Sequence, residues 1–284
     1  MKNLITVIII AITIASCSAN ADTKASLVQN DNYVIILDLS DRLIQNPNQV
    51  NIDTSAIRAV FEKFEKSVQK NLVIKSRDKF SIRIIPQPTS SLPANTFENA
   101  LSIDMSKYSA AVRLKELNKF KDNLSAQLAL LYQQSFLGNK SNNFSGVDIW
   151  QYFNEQINTD LDNKYNNKVV ILTDGYFDFE DKTHGIKNGK LSTTTNTIVQ
   201  QMKLLSWEEE ADKKCIGLMP VKINTQASWL VCGIQSKNDK DLEEVKKLSY
   251  IWKKWLKNSG ATNVLEPIAN SSSEKIKTLI LNNL

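Results

Sequence analysis

Two stretches of this chain are apolar at nearly every residue and then stop abruptly at acids and hydroxyls. They are Tyr33-Val-Ile-Ile-Leu-Asp38-Leu-Ser40-Asp41-Arg42 and Lys168-Val-Val-Ile-Leu-Thr173-Asp174-Gly175. Unbroken apolarity over strand length, without alternation, predicts parallel strands covered by helices on both faces. Elsewhere the period changes. Ile57, Val60, Phe61, Phe64 and Val68 recur at helical spacing, predicting a helix over residues 51–69 that Thr54 or Ser55 would cap. Residues 78–86 read as a second strand stopped by Pro86, and residues 87–99 as an exposed loop. Residues 106–136 read as helical, with apolar positions that drift around the axis, so a break is expected near Asn123-Leu-Ser125.

The second half alternates in the same way. After a turn-rich loop over residues 138–143, Asp148 opens a helix through Ile149, Trp150, Phe153 and Ile157. Residues 175–195 form a polar loop with a small hairpin expected at Lys187-Asn-Gly189. A helix over residues 197–210, strands over 215–221 and 228–234, a helix over 239–257, a short strand over 262–267 and a last helix from Ser273 complete the pattern. On the 239–257 helix, Val245, Leu248, Trp252 and Trp255 share one face, which suits packing onto the sheet; with Lys253, Lys254 and Lys257 the tryptophans would otherwise make a membrane- or partner-facing patch. The predicted architecture is an α/β three-layer sandwich over residues 31–284, with a central, mostly parallel sheet and helices on both faces. Ligands of such sheets bind at the carboxyl ends of the strands, so two acidic strand ends point to one site, suited to a cation.

The N-terminus changes where this domain is expected to work. Met1-Lys-Asn3 is a short positive start, and residues 4–15 are a nearly unbroken apolar run. That run is shorter than the ~20 residues that span a bilayer comfortably, but it fits the hydrophobic stretch of a signal peptide. It ends in Ile14-Ala15-Ser16-Cys17, which resembles the lipobox of bacterial lipoproteins. The resemblance implies removal of residues 1–16, lipidation of the Cys17 thiol, and a tether over residues 17–30. Several acyl chains, at ~0.8 kcal/mol per buried methylene, would make the membrane anchor effectively permanent. Ser18 favours the outer membrane where that sorting rule holds. The expected location is the cell envelope, outside the cytoplasm; the alternative is an ordinary cleaved signal or a single-pass anchor.

Composition narrows the partners. The formal charge of +5 is spread over mixed helices such as Asp239-Lys-Asp-Leu-Glu-Glu-Val-Lys-Lys247, which read as solvated faces. No basic stripe is interleaved with aromatics, so no nucleic-acid partner is expected. Glycine is scarce, which argues against a phosphate-cradling loop. Besides Cys17 there are two cysteines, Cys215 and Cys232. A hairpin turning at Asn224-Thr225 would face them for a disulfide, which an envelope compartment permits; on parallel strands they would be buried free thiols.

The two strand ends resemble parts of a von Willebrand factor A domain. In that family the first strand ends in Asp-x-Ser-x-Ser, a middle loop adds a threonine, and a later strand ends in Thr-Asp-Gly, together forming a metal-ion-dependent adhesion site. The resemblance implies the α/β sandwich, a protein-binding role at the strand-end face, and Mg²⁺ or Mn²⁺ held by Asp38, Ser40 and Asp174. Two positions depart from the pattern: Arg42 stands in place of serine, and Val147 in place of threonine, with Ser145 near enough to substitute. Arg42 brings a permanent charge; at ~5 Å and an effective dielectric of ~20 its repulsion of Mg²⁺ is on the order of several kcal/mol. Turned inward, Arg42 would pair with Asp38 or Asp174 and replace the metal; turned outward, it would leave a weak site. Asp41, Arg42, Ser145, Asp148 and Gly175 complete the expected binding face. A plainer alternative makes Asp38 and Asp174 turn or capping residues with no shared site.

Catalysis finds less support. His184 is the only histidine and lies in a polar loop, with no serine–histidine–acid arrangement, nucleophile elbow or His-Glu-x-x-His motif in the chain. The expectation is therefore a non-enzymatic envelope lipoprotein that binds protein partners. Two alternatives stand beside it: a divalent-metal-dependent hydrolase or phosphotransferase using Asp38 and Asp174, and a structural component of an envelope or secretion assembly.

Overall fold

The computed structural model describes residues 29–87, 90–137, 146–179, 187–203, 206–238 and 241–284. The leader, Cys17, most of the tether, Ser145 and His184 lie outside the described residues. None of the described helices is long and apolar enough to cross a membrane.

Strand β1 (Asp31–Asp38) is followed by a one-turn helix α1 (Arg42–Gln45) and the long helix α2 (Gln49–Lys70). Then come β2 (Lys79–Ile85), α3 (Ala94–Ala100), β3 (Ile103–Asp104) and α4 (Arg113–Leu137). Helices α5 (Ile149–Glu155) and α6 (Ile157–Asp160) precede β4 (Asn166–Leu172). The hairpin β5 (Lys187–Asn188) and β6 (Leu191–Ser192) leads to α7 (Thr195–Gln201), α8 (Trp207–Lys213) and β7 (Gly217–Leu218). The chain ends with β8 (Ala227–Ile234), α9 (Leu242–Asn258), β9 (Asn263–Val264), β10 (Ile268–Ala269) and α10 (Ser273–Asn283).

The main sheet runs β10-β8-β4-β1-β2-β3, with β9 also paired to β8; every pairing is parallel except that of β2 with β3. Both of its faces are covered, as the unbroken apolar runs predict. Tyr33, Ile35 and Leu37 enter a core with α2, α3, α4 and α10, while Val34 and Ile36 enter another with α5, α7, α8 and α9. The three-layer α/β sandwich expected from the sequence is the one observed. Trp252 and Trp255 are buried against Phe153 and Phe177, so the α9 stripe packs onto the sheet and is no surface patch.

Several local expectations are corrected. The loop expected over residues 87–99 includes the start of helix α3, which turns Phe97 into the core and caps the free Ile84 N–H with Glu98. Helix α4 runs through Asn123-Leu-Ser125 without a break, because Leu117, Leu124, Leu128 and Leu131 hold one continuous seam on the core. The hairpin at Asn224-Thr225 does not form: β7 joins β5 and β6 in a small separate sheet, and β8 lies parallel between β4 and β10. Cys215 and Cys232 are therefore not a disulfide. Cys215 is exposed in the turn that closes α8, at φ +51°, whereas Cys232 is buried within β8.

Neighbouring strands β1 and β4 send their connections in opposite directions: β1 leads to α2 on one face, β4 to α7 on the other. A crevice opens at the carboxyl ends of strands where this reversal occurs. Asp38 and Thr173-Asp174 sit there, since Leu37 pairs with Leu172 in register.

Candidate strand-end site

The site is built around the carboxylate of Asp38, which is only 1% exposed. Its Oδ1 accepts the Ser40 N–H at 2.8 Å, and its Oδ2 accepts the Thr173 hydroxyl at 2.7 Å. The Thr173 hydroxyl in turn accepts the Gly175 N–H at 3.1 Å. Asp174, 3% exposed, accepts the Tyr176 N–H on Oδ1 at 3.1 Å, and its carbonyl receives the Gln235 N–H at 3.0 Å. Gly175 turns the chain at φ +99°, and an added Cβ would press on Ile234 at 3.3 Å, so glycine is required there. Trp252 of α9 donates its indole N–H to the Gly175 carbonyl at 2.9 Å and fixes this turn from behind.

Arg42 answers the question that the sequence left open. It turns inward, but its principal partner is neither strand-end acid. Nη1 and Nη2 donate to the two oxygens of Asp53 in α2 at 3.0 and 2.8 Å, and Nε donates to the main-chain carbonyl of Asp38 at 2.8 Å. The Asp38 carboxylate is a secondary partner, with its Oδ2 3.9 Å from Nε. Asp53 also accepts from Gln49 Nε2 at 2.9 Å and from the Tyr132 hydroxyl of α4 at 3.0 Å. Arg42 and Asp53 are 1% and 2% exposed, so this is a buried, two-pronged ion pair with each Asp53 oxygen accepting twice. Burial works against the guanidinium's charge, but Asp53 and Asp38 more than offset it and leave Arg42 held even more firmly as a cation.

The two acids feel the opposite balance. Burial pushes Asp174 above the usual carboxylate range, and the Asp38 charge beside it adds to the shift. Asp38 is also raised by burial, in spite of Arg42 and its hydroxyl and N–H donors. These are two carboxylates that resist being ionised together.

The remaining expected residues fall around this centre. Asp41 is half-buried and accepts from Gln45 Nε2 at 2.7 Å on the rim. Asp148 caps α5 by accepting the Gln151 N–H at 2.8 Å. Val147 is buried in the apolar core beneath and supplies no side-chain oxygen. Gly146 lies so close to the Asp178 carbonyl that an added Cβ would stand 2.9 Å from it, tying this loop to the one that follows Asp174. Asp178 pairs with Lys237, whose ammonium also sits 4.6 Å above the Tyr176 ring.

A divalent cation of the kind the resemblance implies takes about six oxygens in near-octahedral geometry. As placed, these residues do not fit one. Asp38 has both oxygens engaged within the chain, Val147 offers none, and a guanidinium stands beside the carboxylate. Among the described residues no group of three or more His, Cys, Asp or Glu is arranged to hold a metal.

Asp53, Gln49, Tyr132 and Trp252 are the site residues that sequence reasoning passed over. Asp53 did carry a signal: it falls on the apolar stripe four residues before Ile57 and seven before Val60, where a lone acid demands a partner.

No family model matches the chain, and no curated protein matches it in sequence. Among solved structures, two crystal forms of proximal thread matrix protein 1 from the mussel byssus show a distant likeness. Their TM-scores are 0.36 and 0.35 at 10% and 9% identity, over 89% of this chain and 46% of theirs. The chain thus spans about half the length of those structures, and a likeness this remote carries no functional argument.

Proposed function

We propose that this chain is a lipid-anchored envelope protein whose von Willebrand factor A-like domain binds protein partners through its strand-end face, without a metal and without catalysis. The observation that carries this reading is the Arg42–Asp53 pair. It places a permanent positive charge next to Asp38, where the resemblance calls for a cation, and joins the β1 turn to α2 and α4 through four hydrogen bonds to one carboxylate. Loops held in this way present a surface of fixed shape, which lowers the ordering cost of binding a partner. Separately, the Ser40 N–H and the Thr173 hydroxyl each engage one oxygen of Asp38, the group a phosphotransfer or hydrolytic reading needs free.

The test uses the full chain in its membrane, with a photoreactive residue replacing Asp41 on the strand-end rim or Asn163 at the strand starts. Partner cross-links at 41 and not at 163 are expected. Equal labelling at both positions overturns the reading, as does turnover of a phosphate ester by the purified chain that disappears in Asp38→Asn.

A further inference from the structure

The end of the sheet opposite the site, where the strands start, carries an exposed apolar tip. Between α2 and β2 the chain reads Lys70-Asn71-Leu72-Val73-Ile74-Lys75-Ser76-Arg77. Leu72 and Ile74 are 55% and 57% exposed, while Val73 is half-buried against the core and roots the tip. Leu72 stands at φ +57°, a left-handed conformation that costs a leucine energy, and its side chain is left in solvent. Arg113 holds the tip from α4 by donating Nη1 to the Ile74 carbonyl, and its neighbours Val112 and Leu114 are exposed as well. Four of the eight exposed large apolar side chains among the described residues thus lie on or beside this one loop. Such a concentration marks a contact surface.

One buried acid joins this loop to the point where the tether meets the domain. Asp78, 0% exposed, accepts the Asp31 N–H at 2.6 Å, the Asn71 amide on both oxygens at 3.1 Å and the Ser76 hydroxyl at 2.5 Å. The Arg77 N–H donates to Asn30 Oδ1 at 2.8 Å. Residues 30 and 31 are therefore bonded to the base of the apolar tip. Residues 17–28, even fully extended, span at most about 40 Å. An anchor at Cys17 makes the strand starts, and the tip with them, the membrane-proximal end of the domain.

The charges around the tip match that neighbour. Lys70, Lys75 and Arg77 bracket it, are exposed, and pair with no acid among the described residues. Lys70 also offsets the partial negative charge of the α2 C-terminus. The nearby acids are already engaged: Asp78 as above, Asp31 by Ser67, Tyr33 and Lys168, and Asp162 by Lys79. In the tether sequence Asp22 and Lys24 balance each other. Aliphatic groups flanked by unpaired cations suit an anionic bilayer surface, where the former enter the headgroup–acyl boundary and the latter meet phosphates.

We propose that the Leu72-Val73-Ile74 tip is a membrane-contacting loop, with Leu72 and Ile74 in the bilayer boundary and Lys70, Lys75 and Arg77 on anionic phospholipid headgroups. The proposal rests on the lipid-anchor part of the reading above and adds an orientation to it. The strand starts rest on the membrane, and the strand-end face points away from it, towards partners.

The test places a photoreactive residue at Ile74, or at Asp41 for comparison, in the full chain reconstituted into vesicles of phosphatidylcholine and phosphatidylglycerol in equal parts. Lipid adducts, read by mass spectrometry, are expected at 74 and not at 41. Leu72→Asn suits the positive φ and should not lower the melting temperature, yet it should cut the adducts about tenfold through loss of the apolar contact. Omitting phosphatidylglycerol, or changing Lys70, Lys75 and Arg77 together to Gln, should cut them about fivefold or more, since each basic group near an anionic surface is worth about that much. Equal adducts at 74 and 41, or adducts indifferent to these changes, overturn the contact. So does a cross-link from 74 to a protein in envelope membranes, or to residues 17–28 of the same chain, in place of lipid. Intact mass of the purified chain reads the anchor separately. A Cys17 without acyl chains refutes the anchor and the orientation with it, whereas an acylated Cys17 with equal adducts at 74 and 41 refutes the loop contact alone.

Discussion

Replacing Asp53 with alanine is the sharpest perturbation of this structure, because it removes one carboxylate and strands several buried groups together. Arg42 keeps its bond to the Asp38 carbonyl but loses both Nη contacts, and it is 1% exposed. Removing one partner of a buried ion pair costs about 3–5 kcal/mol, since the remaining charge is left without compensation. The Tyr132 hydroxyl and the Gln49 amide lose their acceptor as well. An orphaned buried donor adds about 1–3 kcal/mol. With two such donors the sum, roughly 5–11 kcal/mol, is comparable to the whole stability of an ordinary domain, about 5–15 kcal/mol. Asp53→Ala should therefore be marginally folded at 25 °C.

The informative companion is Arg42→Met with Asp53→Leu. With the charge gone from both sides, an apolar pair of similar volume is often neutral or stabilising. The residual cost is that of the neutral Asp38 carbonyl, Gln49 amide and Tyr132 hydroxyl losing their charged partners, about 1–3 kcal/mol each. Urea unfolding followed by circular dichroism measures all three variants, including Arg42→Met alone. The double variant should be clearly more stable than Asp53→Ala. If Asp53→Ala costs under about 1 kcal/mol, or if the double variant is no more stable than Asp53→Ala, the pair is not the tie described here.

Other outcomes follow from the same contacts. Mg²⁺ or Mn²⁺ should leave the melting temperature of the parent chain unchanged relative to chelator; a clear rise would refute the reading of Arg42 as the resident cation. Opening the position needs more than Arg42→Ser with Val147→Thr, because Asp53 would then be a buried unpaired acid; with Asp53→Asn added, a metal-dependent rise of the melting temperature is expected. Burial, with the Asp38 charge adding to it and Arg42 and Lys237 opposing, pushes Asp174 up to about 8, so it binds its proton more tightly folded than unfolded. Its contribution is thus complete below about pH 4 and lost as pH rises towards 8, by up to about 1.4 kcal/mol per pH unit, and Asp174→Asn should flatten that slope in melts across pH 5–8. Burial pushes the Cys232 thiol up to about 12, while Cys215 is exposed, so alkylation mapped by mass spectrometry should label Cys215 at once and Cys232 only on unfolding.

The layers of this fold were legible because a strand buried on both faces has little choice but to be apolar throughout. Residues 33–37 and 168–172 read as parallel strands for that reason alone, and their ends locate the site. What escaped were features set by partners remote in sequence. Cys215 and Cys232 lie in segments of similar local pattern, yet one segment joins a small outlying sheet and the other the main sheet; no local signal tells them apart. The expected break in α4 failed because its drifting apolar positions find a core that follows them, so tertiary packing overrode the local period.

The strand-end acids show the same limit at finer scale. Asp38 and Asp174 were located by their strands, but their chemistry depends on where Arg42 turns, and an arginine offers its five donors to whichever acid geometry brings within reach. That acid is Asp53, eleven residues on and one turn into α2, with Tyr132 reaching it from a helix seventy-nine residues away. Once the partner is known, each of the two departures from the adhesion-site pattern has a physical role. Arg42 sets a permanent positive charge beside Asp38 and is held there by Asp53, and Val147 packs in the apolar core.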